Sequence, residues 1–330
     1  MTLLLSLSNC SHAIVLGDRR VAQRDGKACD DEANKLCVLF CDDARVTIAF
    51  TGLASYNGFK TQDWLRDTLF EIGKKTHTLE DILRAFQAKA SHTFASLSRA
   101  IGNAQRIAFL LSGFRYSPNA QNICYLISNY GSHAHTHAPS DKVDLYPLGT
   151  VGSPTVEAAG YTSAFTQRDR ESLRKMLAAD NPPPKVLRKA VQIVQRVSMD
   201  KKSRGFVGAQ CNSGVVPQKR DTNIVATYHS AKPAFRAFGP DVVLAVTDCG
   251  AAVTGTFLHA GLFLSGPEIR KSEPCWCGSG RRFGTCHYKK FGSVYARMPA
   301  FRKPMQWVVA FSKKSSELSG RRYVVTSSFE

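Results

Sequence analysis

Residues 1–20 read MTLLLSLSNCSHAIVLGDRR, and the reading of this stretch decides the fold. A leucine run after the first methionine, closed by a cysteine, has the outline of an export signal. The outline fails in detail. No Lys or Arg precedes the leucines, the apolar core spans only Leu3 to Leu7, and Asn9 before Cys10 is a poor lipoprotein cleavage position. A β-hairpin fits better, with strands Leu3–Asn9 and Ala13–Asp18 flanking the turn Asn9-Cys10-Ser11-His12. A second hairpin follows, with Leu36–Phe40 and Val46–Thr51 around Asp42-Asp43-Ala44-Arg45.

Residues paired in an antiparallel hairpin sum to a constant, and side chains two apart share a face. With Cys10 at the first turn centre, pairs sum to 20 and Thr2 lies opposite Asp18, sharing a face with Leu4, Ser6, Leu16 and Arg20. With the second centre between Asp43 and Ala44, pairs sum to 87 and Lys35 lies opposite Gly52. The open ends of both hairpins then carry polar residues that an apolar strand does not need.

Beyond the hairpins, apolar spacing predicts helices over Thr61–Ile72 and from the T-x-x-D signal at Thr78 through Leu97. Strands follow at Ile107–Ser112 and Ile123–Ser128. A second helix pair, Arg168–Ala179 and Val186–Met199, is split by Asn181-Pro182-Pro183-Pro184, and strands return at Phe206–Val216 and Asn223–Tyr228. Strands grouped between helix pairs imply two packed sheets covered by helices on both faces, an α+β fold and not an alternating βαβ sheet. The chain divides into residues 1–230, a strand-rich extension at 231–269 and a basic segment at 270–330.

At 330 residues the chain buries a full core, and its 43% hydrophobic content is that of a globular protein. Val242 to Gly266 is mostly apolar, but Asp248, His259 and glycines interrupt it, so buried strands suit it better than a membrane span. The expected location is cytoplasmic. Net charge is +18, and residues 270–330 hold 13 Lys/Arg against 3 Asp/Glu. Such a tail implies an acidic partner, whether nucleic acid, a ribosome, an anionic membrane or an acidic protein. Seven cysteines are scattered and three cluster near the C-terminus, a pattern of metal binding in a reducing compartment and not of a disulfide scaffold.

The polar locus has a chemical logic. Removal of Met1 leaves Thr2 with both a hydroxyl nucleophile and a free α-amine, which titrates near pH 8 and serves as general base. A lysine beside it lowers the pKa of both groups, an aspartate holds that lysine oriented, and a glycine N–H at a strand end stabilises an oxyanion. Thr2, Gly17-Asp18-Arg19-Arg20, Lys35 in DEANKL and Gly52 in IAFTGLA together resemble a proteasome-type β subunit of the threonine N-terminal nucleophile hydrolases. The resemblance covers about residues 2–230. It implies a four-layer αββα sandwich and a threonine-type peptidase or amidohydrolase acting on a peptide or protein. It further implies a homo-oligomer, with an ATPase as a candidate partner. It also implies that Thr150-Val151-Gly152-Ser153 supplies a residue, Ser153, beside the nucleophile, and that Asp200 and Ser203 support it. Two departures stand out: Pro154 follows Ser153 where the family has glycine, and Arg204 separates Ser203 from Gly205. A catalytically silent copy serving as a binding scaffold is the alternative reading.

Near the C-terminus, Cys275, Cys277, Cys286 and His287 form C-x-C-x8-C-H around a Gly-Ser-Gly turn. Three thiolates and an imidazole suit a closed tetrahedral Zn²⁺ site, hence a structural one. The pattern resembles the SEC-C motif, which implies a small zinc-stabilised contact module for proteins or ribosomes. His133, His135 and His137 alternate in SHAHTHAPS and read as a polar hairpin loop.

Overall fold

The structure, a computed structural model, describes residues 2–23, 25–31, 33–131, 138–220, 224–230, 237–238, 240–247, 250–254, 257–259, 262–263, 272, 282–286 and 323–329. His133, His135 and His137 lie outside the described residues, as do Cys275, Cys277 and His287.

The first hairpin consists of β1 (Leu3–Ser8) and β2 (His12–Asp18). Leu4 pairs with Gly17 and Ser8 with Ala13, so pairs sum to 21 and not to the expected 20. Asn9 sets this register. Its Oδ1 accepts from the N–H of Ser11 at 3.0 Å and of His12 at 2.9 Å, leaving Cys10-Ser11 as a two-residue loop. A shift by one moves every side chain to the other face. Asp18 is therefore not opposite Thr2; by alternation it shares a face with Ile14 and Leu16. The second hairpin pairs β3 (Leu36–Cys41) with β4 (Ala44–Gly52). Here Leu36 meets Ala49 and Phe40 meets Arg45, a sum of 85 and not 87, because Asp42-Asp43 alone turn the chain. Lys35 thus lies opposite Phe50, whose N–H donates to its carbonyl at 3.2 Å, and not opposite Gly52.

Helix α1 (Thr61–Gly73) follows, then α2 (Leu79–Ile101), whose Thr78 cap accepts from Asp81 N–H and donates to the Asp81 carboxylate at 2.7 Å. Strands β5 (Ile107–Arg115), β6 (Gln121–Ser128), β7 (Asp144–Pro147) and β8 (Thr155–Gly160) come next. Helix α3 (Gln167–Ala178) begins with a Thr166–Asp169 capping box, and α4 (Pro183–Met199) begins on prolines whose missing N–H costs nothing in a first turn. The chain continues through β9 (Cys211–Pro217), β10 (Ile224–Ser230), β11 (Asp241–Val246), β12 (Gly250–Thr254) and β13 (Tyr323–Phe329).

Two sheets result. One has the order β8-β1-β2-β9-β10-β13 and the other β7-β6-β5-β4-β3-β11-β12. In the first, Leu3, Leu5, Leu7, Ile14 and Leu16 pack on α3 and α4, each leucine contributing about 1.5–3 kcal/mol by its burial. In the second, Ile48, Phe109 and Leu111 pack on α1 and α2 around a cluster of Trp64, Phe86 and Phe94. The opposite faces, with Leu4 and Val15 on one sheet and Ala49, Leu110 and Leu126 on the other, pack sheet against sheet. Helices thus cover both outer faces of two stacked sheets. Residues 241–246, placed by sequence in the extension after 230, run parallel to β3 as part of the second sheet. No helix among the described residues is long and apolar enough to cross a membrane.

Candidate active site

Three strand ends meet at Thr2. It precedes β1, sits beside the end of β4, and lies next to Lys35, which leads into β3. Thr2, Asp18 and Lys35 are 3%, 0% and 1% exposed, so a hydroxyl, a carboxylate and an ammonium group are withdrawn together from bulk water. The Lys35 Nζ donates to Thr2 Oγ1 and to the Arg20 carbonyl. It stands 3.7 Å from the Asp18 carboxylate. That carboxylate is fixed in turn by three backbone N–H groups, from Leu3 at 2.6 Å, Arg20 at 2.9 Å and Gly208 at 3.0 Å. Asp18 therefore reaches the site around the strand end, from the face opposite to the one the sequence assigned it.

Burial pulls the Lys35 ammonium below the ordinary lysine range, and the Asp18 charge opposes that fall. Burial likewise raises the Asp18 carboxyl, against the pull of Lys35 and of its three N–H donors. Above the pair opens a cleft of about 550 Å³ lined by Thr2, Lys35, Phe50, Gly52, Tyr56 and Phe206 among others. Gly52 sits at φ 108°, where any Cβ would overlap the Arg106 carbonyl, so β4 and β5 close on each other only with glycine there.

The other candidates divide. Arg20 borders the cleft, but its guanidinium is engaged by Asp31 at 2.6 and 3.1 Å and by the Gly205 carbonyl at 3.2 Å, so its backbone carbonyl is the part that touches Lys35. Ser153 is not brought to Thr2. Strand β8 runs antiparallel to β1 with Thr155 at Ser8 and Gly160 at Leu3, which leaves Ser153 exposed beyond the far end. The segment that does reach Thr2 is Gly160-Tyr161, whose Tyr161 N–H donates to the Thr2 carbonyl at 2.9 Å. Asp200 accepts from Lys202 N–H at 2.8 Å, and Ser203 donates to the Val197 carbonyl, so both close the turn after α4. Thr51 escaped the sequence reading: its Oγ1 accepts from the Thr2 N–H at 3.0 Å. Its one sequence signal is a hydroxyl directly before Gly52 at a strand end.

Residues 272–289 match the family model of the SEC-C motif. The SEC-C stretch includes a short helix, Phe283–Cys286; of the residues the sequence offers as zinc ligands, Cys275, Cys277 and His287 lie outside the described residues, and Cys286 is described by its backbone alone. Among the described residues no group of His, Cys, Asp and Glu is arranged to hold a metal. No curated protein matches this chain. Similar solved structures include Anbu (ancestral beta-subunit) from Yersinia bercovieri, at 11% identity over 65% of this chain and 81% of that one, with a TM-score of 0.43. HslV from Trypanosoma brucei is 18% identical over 65% and 99%, with a TM-score of 0.40. The helical assembly of the Anbu complex from Pseudomonas aeruginosa is 11% identical over 71% and 88%, with a TM-score of 0.45.

Proposed function

We propose that the chain is a threonine-type amidohydrolase with Thr2 as N-terminal nucleophile, folded as the four-layer αββα sandwich of that superfamily. The observation that carries this reading is the hydrogen bond from Lys35 to Thr2 Oγ1 at the floor of an open cleft. Once Met1 is removed, the Thr2 α-amine takes the Oγ1 proton as Oγ1 bonds to the substrate carbonyl carbon. The Lys35 ammonium favours the alkoxide by its charge, and Asp18 orients that ammonium. The carbonyl electrons move to oxygen, where the Gly52 N–H on the cleft wall is the donor. The C–N bond then breaks, the leaving amine takes the proton from the α-amine, and water hydrolyses the resulting ester.

The Cys275, Cys277, Cys286 and His287 donor set fits Zn²⁺, which would supply structural cross-linking of a basic segment that docks an acidic protein or ribosome partner. A homo-oligomer is part of the same reading, and native mass spectrometry tests it. The silent-scaffold reading draws on one observation, that Asp200 and Ser203 close their own turn instead of touching Thr2. Intact mass and a peptidyl β-lactone probe separate the two. Catalysis requires loss of Met1 and one adduct that Thr2→Ala abolishes. A chain that keeps Met1, or that sheds it and ignores the probe, overturns the enzymatic reading.

A further inference from the structure

The two helical layers differ in charge. From Thr61 to Ile101, α1, α2 and the connection between them hold six Lys/Arg against five Asp/Glu. From Gln167 to Arg204, α3, α4 and the turn after them hold eleven against four, a net +7 in 38 residues. The imbalance is sharpest on α4. Lys185, Arg188, Gln192, Arg196 and Met199 recur every three or four residues and are all exposed, forming one stripe. Lys201 and Lys202 extend it, also exposed. The cations from Lys185 to Arg196 span about 17 Å of helix. The only acidic residue between Lys185 and Arg204 is Asp200, whose carboxylate caps the next turn, while Arg196 is paired with Asp169 of α3 at 2.6 Å.

A basic amphipathic helix often marks a membrane surface or a partner groove. Here the apolar side of α4, including Val186, Val191, Val194 and Val197, is already buried against the first sheet, so only the charge is on offer. Neither α3 nor α4 contains an aromatic residue, and Met199 is the one large exposed apolar side chain on them. The face therefore lacks the Trp and Tyr anchors of protein interfaces and the rings on which bases stack. What remains suits contact with a chain of phosphates. We propose that the exposed face of α4 and the turn 200–204 bind the phosphate backbone of double-stranded nucleic acid, whose bases stay stacked on one another, without sequence preference. The row ends beside the cleft, since Gly205 accepts from Arg20 and Phe206 lines the cleft wall.

The test uses the full chain and a fluorescein-labelled mixed-sequence DNA duplex of about 20 base pairs, with the single strand as competitor, followed by anisotropy from 25 to 300 mM KCl. Affinity should fall linearly with salt on logarithmic axes, with a slope of about −0.9 per phosphate engaged. The quadruple variant Lys185→Gln/Arg188→Gln/Lys201→Gln/Lys202→Gln should bind at least tenfold more weakly at 50 mM KCl, with a shallower slope and an unchanged circular dichroism melt. Absence of binding by the unaltered chain at 25 mM KCl overturns the proposal. So does a variant that keeps full affinity and slope, which would move the contact to the basic C-terminal segment. Equal competition by poly-glutamate at matched charge also overturns it, in favour of an acidic protein.

Discussion

Thr51 holds both backbone polar atoms of Thr2: its Oγ1 accepts from the Thr2 N–H at 3.0 Å and donates to the Thr2 carbonyl at 3.1 Å. One hydroxyl thus fixes the rotation of the residue on which the proposed chemistry depends. Thr51→Val keeps the shape and removes both bonds, each worth about 1 kcal/mol. The expected loss is about 30-fold in kcat/KM on a fluorogenic peptide amide, and Thr51→Ser should recover most of it. Equal activity in all three proteins would show that Thr51 only packs.

The Lys35–Asp18 pair sets a pH dependence. Lys35 acts charged, and burial lowers its pKa from the ordinary 10.5 while Asp18 raises it. The alkaline limb of kcat/KM should therefore fall below pH 10.5, and Asp18→Asn should move it further down because the opposing charge is gone. A limb that stays in place in Asp18→Asn would assign it to another group.

Gly160 is required by contact and not by flexibility alone. It sits at φ 84°, and a Cβ there would overlap the Thr2 carbonyl oxygen and the Thr51 hydroxyl. Gly160→Ala should cost about 2–4 kcal/mol and lower kcat more than KM. Thermal melts and steady-state kinetics on the same preparation check both.

Asp241 opens β11, is buried, and has its carboxyl pushed up to about 6 by that burial, with Gln62 donating to it. The unfolded chain releases this proton near 3.8, so the folded state holds the extra proton between those values. Stability is then greatest at the acid end of the window and falls as pH rises through about 6. Asp241→Asn lacks this term. Its stability relative to the unaltered chain should improve by up to about 3 kcal/mol between pH 4 and pH 7 in urea titrations. A constant difference would refute the assignment.

Cys275→Ser should release about one zinc per chain, measured by inductively coupled plasma mass spectrometry, while β-lactone labelling of Thr2 persists. Unchanged metal content would refute the knuckle.

Local chemistry was legible in the residues. The T-x-x-D cap, the proline run at the start of α4 and the apolar stripes placed α1 to α4 within a few residues of Thr61–Gly73, Leu79–Ile101, Gln167–Ala178 and Pro183–Met199. Register was less so, because it depends on which residues form the turn. The Asn9 side chain and the tight Asp42-Asp43 turn moved the sums to 21 and 85. Ser153 was misplaced for a different reason. A glycine-serine segment looks the same wherever its strand ends, and only the pairing of Gly160 with Leu3 shows which end of β8 meets Thr2. Thr51 is invisible to motif reading, since its role lies in a bond spanning 49 residues.

That pairing also imposes an order in time. Strand β1 lies between β2, made immediately after it, and β8, whose last residue is Gly160. Until the segment around Gly160 has been synthesised and docked, one side of β1 is uncovered and the start of the chain is accessible. Afterwards the Thr2 N–H is held by Thr51 and its carbonyl by Tyr161. Thr2 therefore meets Thr51 early in synthesis and Tyr161 only after residue 161 has been made, so the setting of this residue is completed late.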